Sequence, residues 1–121
     1  EFLRGRLATT GRVAAGFAAA AARDPDRWPE LEEELDARTP SPAQRRASRV
    51  QGRALMRAGR ALWTVPAGPD TPHHAVALGL VAAALAGVLL GGALLVSVVS
   101  WVGTAFVSDR GRVVVITRRA R

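Results

Sequence analysis

The chain has 121 residues, 49% of them apolar, and a net charge of +7 from 17 arginines against 10 acidic residues. That length suits one small domain with a true core and is too short for two. With no cysteine and no lysine in the sequence, disulfides, thiolate zinc sites, cysteine nucleophiles and a Gly-x-x-x-x-Gly-Lys phosphate loop are all excluded.

Residues 1–22 have helix-forming composition. Phe2, Leu3, Leu7, Val13, Ala14 and Phe17 supply an apolar face, and Gly11 and Gly16 are read as points of close packing. Arg23 to Pro29, with two prolines and two aspartates, is a loop. Glu30 to Ala37 is a short acidic turn or helix. Its carboxylates Glu30, Glu32, Glu33, Glu34 and Asp36 are read as a solvated face, since no pair among them is spaced for acid/base work. Thr39-Pro40-Ser41-Pro42 then breaks the chain and starts a helix. Ser41 can accept from the free N–H groups of the next turn, Pro42 suits the first helical position, and Gln44 completes a Ser-x-x-Gln capping box.

This helix is predicted to run from about Pro42 to Leu62. Arg45, Arg49, Arg53, Arg57 and Arg60 recur along it every three or four residues, beside a stripe of Ala47, Val50, Ala54, Ala58 and Leu62. The reading is one buried apolar face and one cationic face. The arginines are candidate partner-binding residues, because guanidinium groups make forked contacts to carboxylates. No interleaved aromatics, zinc-finger or RNP-type motif accompanies them, so nucleic acid is not the expected partner. Thr64 to Pro72 is a connector, after which Thr71 and Pro72 are expected to cap and open another helix. His73 and His74 are the only histidines. Neighbours on a helix point about 100° apart and cannot clamp one metal together. They are expected to serve as a helix-start residue and a hydrogen-bonded partner, with a nickel contact completed by another chain as the alternative. No serine lies in a Gly-x-Ser-x-Gly setting, and no catalytic residue is assigned.

From Ala75 to Ser108 the sequence carries no charge, about 34 residues where about 20 cross a bilayer. Leu85 to Val107 alone would span one, and Gly87-x-x-x-Gly91 offers a close-packing face. Arginine-rich flanks on both sides leave the orientation open. Val113 to Thr117 reads as a short strand or an exposed apolar tail.

Several pieces of this pattern occur together in one family. FLRGRL at residues 2–7, the alanine run before Arg23, DARTPSPAQR at residues 36–45, the Arg/Ala/Leu helix ending near Trp63, and a His-x-x-Val-x-Leu-Gly segment from His73 to Gly79 follow one another in order. In this the chain resembles the UreF family of urease accessory proteins over residues 1–84. The resemblance implies an all-α helical bundle, incomplete here, with no catalytic residue and no resident cofactor. It further implies a cytoplasmic chaperone and scaffold that dimerises, binds UreD (also called UreH), the GTPase UreG and apo-urease, and serves nickel insertion, the nickel being handled by the complex. Residues 85–121 depart from the family, which continues through a Ser-x-x-Gly-Pro segment not found here. A change of reading frame is the expected source of that apolar and Arg-rich tail, and Glu1 in place of an initiator Met is read as the start of an excerpt. The alternative reading is a small single-pass membrane protein with an Arg-rich helical domain ahead of the 85–107 span.

Overall fold

The computed structural model describes the backbone of residues 2–119 and the side chains within residues 3–102, Arg6 and Leu7 apart. Four helices follow one another: α1 (Phe2–Arg23), α2 (Trp28–Arg38), α3 (Pro42–Leu62) and α4 (His74–Arg119). A single 3-10 turn at Pro25–Arg27 joins the first two. No strand occurs among the described residues, so the fold is all-α. Val113 to Thr117 lies within α4 and is helical, which removes the strand reading of that segment.

The chain divides into two compact units, residues 1–87 and 88–121. In the first, α1, α2, α3 and the opening turns of α4 enclose one core. Phe17 and Ala21 come from α1, Leu31 and Leu35 from α2, Met56 from α3, and Ala75, Val76, Ala77 and Leu80 from α4. Met56, Val76 and Leu80 are almost wholly withdrawn from water, and each such side chain contributes about 1.5–3 kcal/mol by burial. Val13, Ala14, Trp28, Leu55, Val65 and Val81 pack around them.

The start of α3 follows its sequence signal. Ser41 has extended backbone geometry and its Oγ accepts from the Gln44 N–H at 3.4 Å. The buried side of the helix differs from the sequence expectation. Gly52, Met56 and Gly59 are buried, with Arg45, Ser48, Arg49 and Leu55 half-buried beside them. The Ala47, Val50, Ala54, Ala58 and Leu62 stripe faces solvent, with Val50 and Leu62 each 69% exposed. The cause is how closely α3 is approached. A Cβ on Gly52 would collide with the Pro72 carbonyl oxygen, and one on Gly59 would lie 2.6 Å from a Val81 methyl. No glycine among the described residues has positive φ, so these glycines supply space, not backbone freedom.

Gly79 does the same on α4, where a Cβ would collide with the Ala18 carbonyl and sit 2.6 Å from the Ala21 Cβ. Gly11 and Gly16, expected to mediate packing, have nothing within 4 Å of that position. Leu3, expected on the apolar face, is exposed, whereas Phe17 is buried. In the second unit, α4 is helical but open: Val88 to Val102 are exposed throughout, as are Leu85 to Gly87 just before them.

Candidate functional site

The polar residues of the first unit converge where α4 begins. Thr71 and Pro72 do not open this helix as their sequence suggests. It starts at His74, and its first free N–H groups are capped from other helices. The His73 N–H donates to Glu32 Oε1 of α2 at 2.7 Å, and the His74 N–H donates to Ser48 Oγ of α3 at 3.1 Å. A carboxylate at a helix N-terminus also meets the positive end of the backbone dipole. Two residues distant in sequence thus do the work that a local cap would do.

Around these caps a closed network forms. Arg49 Nη1 donates to Glu32 Oε2 at 3.1 Å and to the Thr71 carbonyl at 2.9 Å, while its Nη2 donates to Asp36 Oδ2 at 2.7 Å. The His73 ring bridges Asp36 Oδ1 at 2.9 Å through Nε2 and Ser48 Oγ at 3.0 Å through Nδ1. Glu32 and Asp36 stand four residues apart on α2 and so share a face. No buried side-chain nitrogen or oxygen among the described residues lacks a partner, as a polar cluster in a low-dielectric interior requires.

The two carboxylates respond in opposite directions. Burial pushes the Glu32 carboxyl above its ordinary value, and the His73 N–H bond and the Arg49 charge offset this only in part. The hydrogen bond from His73 holds Asp36 below the ordinary range, aided by Arg49 against a smaller effect of burial. This differs from the expectation that the acidic run is a solvated face. Glu30 and Glu34 fit that expectation, in exposed pairs with Arg27 and Arg38, but Glu32 is only 7% exposed.

The trio Ser48, His73 and Asp36 has the composition of a hydrolytic triad, yet its geometry is that of a fastener. His73 is 2% exposed, and Ser48 Oγ is already occupied in capping α4. A nucleophile needs an approach for its substrate. An open groove of this unit, about 320 Å³, lies elsewhere, lined by Arg12, Val13, Phe17, Leu31, Glu34 and Arg38, with the Arg38 guanidinium 5.8 Å from the Phe17 ring centre.

The five candidate arginines separate into two groups. Arg49 is tied into the network, and Arg45 Nη1 donates to the Thr39 carbonyl at 2.6 Å and to Pro40. Both bond within the chain. Arg60 reaches the Gly68 carbonyl at 3.4 Å and Asp70 at 3.8 Å across exposed surface. Arg53 and Arg57 are exposed. Together with Arg46 they form the cationic surface of α3, beside the exposed Val50. Of the two histidines, His73 has both ring nitrogens in use within the chain, whereas His74 is exposed. Among the described residues no group of three or more His, Cys, Asp or Glu is placed to hold a metal. The sequence reading placed Glu32 and Asp36 on a solvated face and did not connect them with Ser48 or His73. The one signal for them was the four-residue spacing of Glu32 and Asp36, opposite an arginine helix.

Comparison with known proteins gives a consistent answer. The UreF family model matches residues 1–107, past the residue-84 limit of the resemblance seen in the motifs. Urease accessory protein UreF of Mycobacterium marinum is 49% identical over 86 residues, covering 68% of this chain and 40% of that protein. The protein of the same name from Mycobacterium tuberculosis is 42% identical over 90 residues with the same coverage. That of Mycolicibacterium vanbaalenii is 46% identical over 85 residues, covering 65% of this chain and 40% of the relative. The chain thus spans about two-fifths of the length of the curated relatives it matches. No solved structure matches it. With most of its length under one family model and relatives at 42% and 49% identity, the chain belongs to the UreF family.

Proposed function

We propose that this chain is the helical portion of a non-catalytic urease accessory protein. In this reading it works in the cytoplasm as a chaperone and scaffold for nickel insertion, holding UreD/UreH, the GTPase UreG and apo-urease together as part of a homodimer. In it nickel is cargo handled by the complex. The observation that carries the proposal is family membership. The geometry adds a surface to it: Arg53 and Arg57, with Arg46, are presented on the outer side of α3 while Arg45 and Arg49 secure the fold. Outward guanidinium groups over a rigid helix suit docking against partner carboxylates.

The test is charge reversal of Arg53 and Arg57 to Glu, followed by pull-down of UreD and UreG at low and physiological salt. Binding should fall at least tenfold, with helix content by circular dichroism unchanged, since both side chains are exposed and Glu is a good helix former. Undiminished binding with an intact fold moves the partner surface off α3.

A further inference from the structure

The outer side of α3 has a period of its own. Lettered as heptads a to g, the helix places Ala47, Ala54 and Ala61 at a, and Ala43, Val50 and Arg57 at d. Arg46, Arg53 and Arg60 fall at g, and Gln44, Gln51 and Ala58 at e. All of these positions are exposed, whereas the b, c and f positions from Arg45 to Gly59 are buried or half-buried. The core of the first unit takes one side of the helix, and a coiled-coil face is left on the other. It explains why an Ala/Val stripe recurs on the side that the core does not use.

The charges on that face lack counterparts. Among the described residues Arg46, Arg53 and Arg57 make no hydrogen bond or ion pair, and Arg60 has the Gly68 carbonyl at 3.4 Å and Asp70 at 3.8 Å. On α2, Glu30 is paired with Arg27, Glu34 with Arg38, and Glu32 and Asp36 with Arg49. A second copy of α3 supplies no acid either. Packed antiparallel it sets g against g, arginine against arginine, and packed parallel it sets g against e, which holds glutamines and an alanine. Alanine at a lets a neighbouring axis approach to the close end of the usual range of about 8–10 Å, so the bulk of the seam has to come from the partner. We propose that the outer face of α3 packs lengthwise, as a two-helix coiled coil of about three heptads, against a helix of a partner protein that carries bulky apolar residues along its seam and carboxylates along the edge facing Arg46, Arg53 and Arg60. This rests on the docking of an acidic partner on α3 proposed above, and names the kind of element that docks.

The experiment is fluorescence anisotropy of a labelled synthetic peptide with the full chain, in mild detergent. The peptide has about three heptads, with Leu at a and d and Glu at e and g, whose mutual repulsion keeps it from pairing with itself. It should bind, and exchanging its Glu for Gln should weaken binding at least tenfold. The double variant Arg46→Glu with Arg53→Glu should lose the Glu peptide by a similar factor and gain a version with Lys in place of Glu, its helix content by circular dichroism unchanged. Val50→Asp tests the seam apart from the arginines and should also cost at least tenfold. Three outcomes overturn the proposal. One is equal binding of the Glu and Gln peptides. A second is full binding by Val50→Asp, which is diffuse charge attraction without a seam. The third is self-association of the chain that masks the peptide site, which makes a second copy the occupant. The peptide involves neither UreD nor UreG. Peptide binding without accessory binding therefore upholds the coiled-coil face and overturns the named partners, whereas accessory binding through Arg53 and Arg57 without peptide binding overturns the coiled coil.

Discussion

The inner and outer faces of α3 use the same residue types to opposite ends. On the inner face, Arg49 is locked by Glu32, Asp36 and the Thr71 carbonyl, and Gly52 lets the Pro72–His73 backbone come close. On the outer face, Arg53 and Arg57 project into solvent next to an exposed Val50. Arginine is thus a structural residue at one position and a surface charge one turn further on. Which role it takes depends on whether carboxylates from another helix reach it, and not on its place in a periodic pattern.

Breaking the inner face should have the largest effect. Arg49→Ala leaves buried Glu32 with the His73 N–H bond alone and removes one of the two groups that hold Asp36. The expected loss is about 2–3 kcal/mol, below the full value for a buried pair because Arg49 and Asp36 keep some contact with water. Urea denaturation in mild detergent, followed by circular dichroism, measures it. A loss under about 0.5 kcal/mol would mean that the network is ornamental. Gly52→Ala tests the same face without touching charge. Its methyl has to displace backbone at Pro72, which costs about 1–3 kcal/mol. At the open position Gly16 on α1, the same exchange should stabilise by about 0.5–1 kcal/mol, because alanine is the better helix former. If the two glycines respond alike, the close approach at Gly52 is wrong.

Acid titration separates the two carboxylates that face Arg49. Asp36 has a depressed folded pKa, so its contribution is present above the unfolded value and is lost as pH falls through the folded one. Stability should therefore drop below about pH 4. Glu32 has a raised folded pKa, and its linkage runs the other way. Its contribution is full below the unfolded value and is lost as pH rises through the folded one, so mild acidification from neutrality should stabilise slightly before the drop begins. Glu32→Gln should abolish the mild rise, and Asp36→Asn should blunt the acid limb. Denaturation midpoints measured against pH in the three proteins settle both signs. A monotonic fall from neutrality in the unsubstituted chain contradicts the assignment for Glu32.

Sequence reasoning reached one face of this helix and missed the other for a physical reason. Local rules sufficed for the cap: Ser41, Pro42 and Gln44 act within one turn, and α3 begins where they place it. Burial is not local. Alanine is tolerated on either side of a helix, so an Ala/Val/Leu stripe beside arginines was read as the core face. The partner surface instead demanded small residues, Gly52 and Gly59, against Pro72 and Val81. The same limit hid the α4 cap. Thr71-Pro72 looks sufficient by itself, and nothing within the segment announces that Glu32 and Ser48 will reach it. Long-range polar closure of this kind is set by tertiary packing, and a single sequence carries only its components. The exposed stretch of α4 from Leu85 to Val102 was legible, since a run of uncharged residues needs no partner to be recognised.

The smallest expected effect lies on the outer face and has a sign that structure alone would not suggest. Arg53 and Arg57 are four residues apart, a spacing at which like charges repel on a helix surface. Arg53→Glu places a carboxylate four residues before Arg57, the favourable orientation for an i,i+4 pair. Stability should rise by roughly 0.2–0.5 kcal/mol at low salt, and the gain should fade as the Debye length shrinks. If the outer face only keeps the protein soluble, this variant is simply a slightly better helix. If the face docks on acidic partners, the same substitution weakens their binding while strengthening the fold, so that the two measurements move in opposite directions. Denaturation midpoints at two salt concentrations, set beside partner affinity under the same conditions, distinguish these cases. A variant that loses both stability and binding would show that Arg53 belongs to the inner network, and the division of α3 into two faces would have to be redrawn.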